Sequence, residues 1–140
     1  MGESASKVLL VEDSKFLRIA SERVLAKAGY QVITAADGEE ALRAANDKRP
    51  DVILLDMMLP KLSGPEVLKA LKSNPDTMAI PVIVVSSLSQ KNEDKLKQLG
   101  ADEYFEKGTL DLEKHPDRLA SAVASVLRRC RQRRQVGTQV

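Results

Sequence analysis

Three short aliphatic runs constrain this chain more than any other feature: Val8-Leu9-Leu10-Val11, Val52-Ile53-Leu54-Leu55 and Val82-Ile83-Val84-Val85. Each is too short for a helix, and none alternates with polar residues, so each suits a strand covered on both faces, as in a parallel sheet. Each also ends abruptly on polar chemistry, at Glu12-Asp13-Ser14, at Asp56 and at Ser86-Ser87. Ligands of such sheets bind beyond the carboxyl ends of the strands. Asp56, which passes straight into Met57-Met58-Leu59-Pro60, is therefore the candidate reactive residue. On this segment alone, an aspartate that merely caps the turn after a strand is an equally good reading.

Between the runs lie segments with helical spacing. Leu17, Ala20, Val24 and Ala28 mark one face of a first helix that ends at Gly29. Tyr30 to Ala35 alternates like a strand, and Asp37 with Glu40 makes a capping-box-like start to a helix carrying Ala41, Leu42 and Ala45. Asp51 to Asp56 reads as the third strand; Ser63 and Glu66 repeat the cap, and Val67, Leu68 and Leu71 supply the stripe of a third helix. Pro81 opens the fourth strand, and a helix over 90–99 follows with a thin apolar face of Leu96 and Leu99. Asp102 to Lys107 holds a short fifth strand, and Pro116 starts a last helix with Leu119, Ala122, Val123, Val126, Leu127 and Cys130 at helical spacing. Five strand-helix repeats with short, right-handed connections predict an α/β fold, a doubly wound five-stranded parallel sheet of order 2-1-3-4-5 flanked by five helices.

Composition narrows the chemistry. A chain of 140 residues, 43% hydrophobic and 30% charged, fits one globular domain. Without an apolar core near Met1 or an apolar run longer than a strand, neither a secretory signal nor a membrane span is expected, and the expected location is cytoplasmic. Cys130 is the only cysteine and His115 the only histidine, which excludes an internal disulfide and any thiolate or histidine metal cluster. A divalent metal would have to use oxygen. Arg128, Arg129, Arg131, Arg133 and Arg134 outweigh the formal charge of +2, leaving about −3 for the rest. The expected division is thus a domain over 6–128 and a basic C-terminal extension over 129–140, most simply a solvated run of like charge.

The predicted strand order brings the polar endings together. Strands one and three become neighbours, placing Glu12 and Asp13 beside Asp56, while Ser86 and Lys107 arrive from strands four and five. Three carboxylates in one pocket repel one another unless a hard cation intervenes, and magnesium, with octahedral oxygen coordination and retained waters, is the expected ion. A carboxylate nucleophile, a metal, a lysine ammonium and a serine hydroxyl are the parts of a phosphoryl-transfer site.

Val11-Glu12-Asp13-Ser14, Ala36-Asp37-Gly38-Glu39-Glu40-Ala41, Asp56-Met57-Met58-Leu59-Pro60, Gly64 and Gly100-Ala101-Asp102-Glu103-Tyr104-Phe105-Glu106-Lys107 together resemble a response-regulator receiver domain of the CheY-like superfamily, whose fold is flavodoxin-like. The resemblance covers nearly the whole chain. It implies a two-component signalling switch rather than an enzyme. Asp56 would be the phosphoacceptor for a sensor histidine kinase or phosphotransfer protein, with Glu12, Asp13, Asp56 and the Met58 backbone carbonyl holding magnesium. It further implies that Ser86 and Lys107 contact the phosphoryl group, that Ser86 and Tyr104 act as the switch pair, and that the face formed by the fourth helix, fifth strand and last helix binds a downstream protein. Neither a membrane nor nucleic acid is expected as a partner.

Taken singly, each residue has a plainer reading: Glu12-Asp13 as helix-start acids, Lys107 as a solvated charge, Tyr104 and Ser86 as ordinary strand residues, His115 as a cap before Pro116. The sequence also departs from the family pattern. Gly108 stands where proline usually follows the lysine, the connection after it is longer, and Ser86 replaces the commoner threonine. An aspartyl-nucleophile hydrolase would carry a second Asp two residues after the first, where this chain has Met58. A dinucleotide-binding oxidoreductase would need a glycine-rich turn in place of Glu12-Asp13-Ser14. A degenerate receiver that binds partners without phosphorylation is the nearer alternative, opposed by the full set of Glu12, Asp13, Asp56, Ser86 and Lys107.

Overall fold

The computed structural model describes residues 6–86, 93–106 and 114–138. Its elements alternate without exception: β1 (Lys7–Val11), α1 (Lys15–Lys27), β2 (Gln31–Ala35), α2 (Gly38–Lys48), β3 (Val52–Asp56), α3 (Gly64–Ser73), β4 (Val82–Ser86), α4 (Glu93–Gln98), β5 (Glu103–Glu106) and α5 (Asp117–Thr138). The strands form one parallel sheet in the order β2-β1-β3-β4-β5, as the sequence predicts.

The two-residue period of a strand sorts its aliphatics onto two faces, and each face has its own helices. Leu9, Val11, Ile53, Leu55, Val82, Val84 and Tyr104 point one way and pack with Ala41 and Ala45 of α2, Val67, Leu68 and Leu71 of α3, and Leu96 of α4. Val8, Leu10, Val52, Leu54 and Ile83 point the other way and pack with Leu25 of α1 and Leu119, Val123, Val126 and Leu127 of α5. β1, β3 and β4 lack polar alternation because both of their faces are covered.

Helix starts follow local chemistry. Ser14 Oγ accepts from the Leu17 N–H at 3.4 Å, Asp37 Oδ1 from the Glu40 N–H at 2.8 Å, and Ser63 Oγ from the Glu66 N–H at 3.4 Å. In α2 the returning Glu40 carboxylate accepts from the Ala36 N–H at 3.3 Å, so the capping box closes one residue before the cap. Gly29 and Gly100 follow α1 and α4 with φ of 100° and 112°, backbone that glycine adopts without a Cβ penalty.

Two details differ from the sequence reading, and a third lies outside the described residues. On α1 the fully buried residue is Leu25, while Ala28 is exposed and forms the C-cap. The stripe is rotated because α1 meets both the sheet and α5, so its apolar face is set by two neighbours rather than one. The fourth helix is described from Glu93, with 87–92 outside the described residues. The last helix continues unbroken to Thr138, so a division at residue 129 falls within α5. Its 22 residues span about 33 Å at 1.5 Å each, roughly twice the length of a five-residue strand. Arg129 pairs with Glu103 of β5 at 2.8 Å, and Cys130 packs against the α1/α5 core.

Among the described residues, no helix is long and apolar enough to cross a membrane. Leu25→Ala is expected to cost about 2–5 kcal/mol, because it opens a cavity between α1, α5 and the sheet. Urea unfolding should show the loss, and Ala28→Leu on the same helix should leave the midpoint nearly unchanged.

Candidate functional site

Sheet register builds the site. Val11 lies level with Leu55 across β1 and β3, so Glu12 and Asp56 leave the sheet side by side. Asp56 lies level with Val85 across β3 and β4, and Ser86 stands one residue further along. Carboxylate oxygens of Glu12, Asp13 and Asp56 all come within 4.8 Å of one another. Glu12 and Asp56 are buried and Asp13 is exposed, so the cluster has two interior members and one on the solvent side.

Several bonds hold these acids. The Glu12 N–H donates to the Ala35 carbonyl at 3.0 Å, and Glu12 Oε2 accepts from the Ser14 N–H at 3.2 Å. Asp56 Oδ1 accepts from the Met58 N–H at 3.1 Å, which orients the carboxylate across the sheet end. Met57 is buried in the core, whereas the Met58 side chain is 60% exposed. Arg18 Nη1 donates to the Glu12 carbonyl at 2.9 Å and to the Asp13 carbonyl at 3.4 Å.

The donor set fits a hard cation. Opposite ligands of an octahedron with bonds of about 2.1 Å lie roughly 4.2 Å apart. The three carboxylates lie within 4.8 Å of one another, a limit compatible with that span, so the cluster could hold a metal ion.

The loop after β3 is fastened at both ends. The Gly64 N–H donates to the Met57 carbonyl at 3.1 Å, and a Cβ at Gly64 would run into the Met57 Cα and the Asp56 carbonyl. Only glycine lets α3 begin so close to β3. On the other side, Lys61 adopts φ of 68° and its ammonium reaches Asp37 at 3.4 Å and Glu39 at 3.9 Å, while the Gly38 N–H donates to the Pro60 carbonyl at 3.4 Å. The loop is thereby tied to the start of α2. The hydrogen bond from the Glu40 N–H, assisted by the Lys61 charge, holds the Asp37 carboxyl below the usual carboxylate range.

The structure brings together Glu12, Asp13 and Asp56, with Met58 in the loop directly beyond Asp56. Ser86 is buried at the neighbouring strand end, level with Glu106. Tyr104 is level with Val84 and buried on the face that packs against Leu96 of α4. Lys107, Gly108 and the connection after them lie outside the described residues, as does Leu88. His115 is exposed at the start of α5, and its carbonyl accepts from the Arg118 N–H at 3.2 Å. Sequence reasoning missed Arg18 and Lys61. Arg18 offers only a faint signal, a long donor in the first turn of the helix that follows the acidic pair; a lysine at positive φ after Pro60 offers none.

Residues 8–120 match the family model described as the response regulator receiver domain. The chain is 37% identical over 124 residues to the alkaline phosphatase synthesis transcriptional regulatory protein PhoP of Bacillus subtilis, covering 88% of this chain and 49% of that protein. It is 38% identical over 101 residues to the polar-differentiation response regulator DivK of Brucella anthropi, covering 71% of this chain and 82% of that protein. The signal receiver domain of a LuxO repressor protein from Vibrio parahaemolyticus superposes with a TM-score of 0.82 at 30% identity, covering 94% of this chain and 97% of that one. The chain spans about half the length of the first curated relatives it matches.

The lowered acidity of Asp37 carries a sign. A carboxyl held below its unfolded value contributes stability above the ordinary carboxylate range, and that contribution is lost as pH falls through the lowered native value. Asp37→Asn should therefore destabilise the chain at neutral pH and reduce the fall of the urea midpoint on acidification. Parallel titration limbs for the two proteins would contradict this.

Proposed function

The chain belongs to the response regulator receiver family, and we propose that it acts as a phosphorylation-controlled switch in which Asp56 accepts a phosphoryl group from a histidine kinase or phosphotransfer protein. The observation that carries this reading is the convergence of Glu12, Asp13 and Asp56 at adjoining strand ends. Asp56 is the nucleophile, its carboxylate oriented by the Met58 N–H. Glu12, Asp13, Asp56 and the Met58 carbonyl would hold magnesium. When bound, the ion supplies positive charge against the equatorial oxygens of the transferred group. The Ser86 hydroxyl donates to the same oxygens, and the Lys107 ammonium, from the segment after β5, balances their charge.

Output follows from the position of Ser86 one strand end away from Asp56, with Tyr104 packed on the adjoining strand. A hydroxyl drawn toward the phosphoryl group vacates space beside β4, and Tyr104 and α4 repack into it. The affected surface is formed by α4, β5 and α5, and it is the face offered to a downstream protein. Among the described residues of the helix there, Leu96 is the buried one, so it is the least costly element to move. The receiver unit spans 6–128, with a basic run over 129–140 that begins within α5, and it works in the cytoplasm as a signalling protein rather than an enzyme. An aspartyl-nucleophile hydrolase finds no support, because exposed Met58 occupies the place of its general acid.

Incubation with a small acyl-phosphate donor and magnesium should add one phosphate to the intact mass, and Asp56→Asn should abolish the adduct. An unmodified wild type, or an adduct that survives in the variant, would overturn the acceptor assignment.

The phosphorylated state is expected to be long-lived. Hydrolysis needs a water in line with the acyl oxygen, and neither Met58 nor Leu88 can hydrogen-bond it. Loss of phosphate should be slow in the isolated protein and accelerate in the Met58→Asn, Leu88→Glu double variant. Decay complete within seconds in the wild type would count against it.

A further inference from the structure

Two acids of the cluster accept from nearby backbone, Glu12 from the Ser14 N–H and Asp56 from the Met58 N–H, and the backbone of Glu12 and Asp13 is itself held by a side chain. Glu12 and Asp13 lie between β1 and the first turn of α1. Arg18 bonds to both: its Nη1 reaches the Glu12 carbonyl at 2.9 Å and the Asp13 carbonyl at 3.4 Å. The Glu12 carbonyl belongs to the 12–13 peptide plane and the Asp13 carbonyl to the 13–14 plane, and the orientation of those planes sets the Cα–Cβ directions from which the two carboxylates start. Meanwhile the Arg18 N–H donates to the Ser14 carbonyl at 2.8 Å, so the backbone that anchors the bracket belongs to the same turn.

We propose that Arg18 is a positioning residue for the divalent cation, a guanidinium that locks the Glu12–Asp13 backbone so that both carboxylates converge on Asp56. The inference rests on the metal-site reading given above. Arg18 touches neither the cation nor the phosphoryl group. Its two possible influences have opposite signs. As a nearby positive charge it opposes cation binding, so removing it on electrostatic grounds alone would tighten the site. As a bracket it preorganises two ligands, so removing it would weaken the site, by about 10- to 100-fold if it behaves as other residues that orient metal ligands do. The direct bond at 2.9 Å and the shared grip on both carbonyls favour the second effect.

The test uses the full chain and manganese chloride, followed by water-proton relaxation, which reads both the affinity and the number of waters left on the bound ion. Arg18→Ala should bind manganese at least about tenfold more weakly than wild type, with higher relaxivity per bound ion because a displaced carboxylate is replaced by water. Arg18→Lys keeps the charge but replaces the planar fork with a single ammonium, and it should recover part of the affinity. Arg23→Ala, which removes the same charge from an exposed position on α1, should bind as wild type does. Equal or tighter binding by Arg18→Ala, or weaker binding with unchanged hydration of the ion, overturns the proposal. If Arg18→Ala does not fold, Arg18→Lys decides: affinity equal to wild type overturns the bracket, and reduced affinity with increased hydration supports it. Asp13→Asn separates this outcome from failure of the metal site itself. A wild type that binds no manganese, or binds it as Asp13→Asn does, overturns the site and the proposal together, whereas a wild type weakened by Asp13→Asn but not by Arg18→Ala overturns the proposal alone.

Discussion

Repulsion among three carboxylates is the constraint around which the rest of this molecule is arranged. Glu12, Asp13 and Asp56 would separate if the chain allowed it, and the sheet does not allow it. Val11 pairs in register with Leu55, and both strands are covered by helices on each side, so the acids cannot slide apart without exposing Leu9, Ile53 and Leu55 to water. A one-residue slip would turn every one of these side chains to the opposite face. The hydrophobic pattern of β1 and β3 therefore acts as the clamp on the acidic cluster, a group that could hold a metal ion.

Around that centre the chain adds polar fastenings that leave the carboxylates facing solvent on one side. Gly64 lets α3 approach the acceptor strand, and Lys61 ties the loop beyond Asp56 to the beginning of α2. At the other end of the sheet, Lys72 donates to the Ile80 carbonyl at 2.9 Å and approaches Asp102 at 3.4 Å, while Asp102 accepts from the Val82 N–H at 2.8 Å. These bonds fix the starts of β4 and β5 far from the chemistry. Further along those two strands, Ser86 is buried at the end of β4 and Tyr104 packs with Leu96 of α4.

The sheet order and nearly every element were legible because buried parallel strands leave an unmistakable aliphatic run and helix starts leave Ser or Asp three residues before Glu. The acidic trio was legible for the same reason, since strand order alone places Glu12 beside Asp56. What the pattern could not convey depended on tertiary contacts. The face of α1 was read as Leu17, Ala20, Val24 and Ala28, yet Leu25 is the buried residue, because α5, distant in sequence, covers that side. The continuation of α5 to Thr138 was hidden by a run of arginines that reads as a solvated extension. Arg18 and Lys61 carry no periodicity, and their roles arise only once the loops they hold are in place.

The most direct test of the account is chemical capture of the acceptor. An acyl phosphate on aspartate is reduced by borohydride to the corresponding alcohol, so phosphorylation in magnesium followed by reduction and peptide mapping identifies the modified residue. The account predicts homoserine at position 56 alone, and none when magnesium is withheld. Conversion at Glu12 or Asp13, or equal labelling of position 56 without a divalent cation, would contradict it.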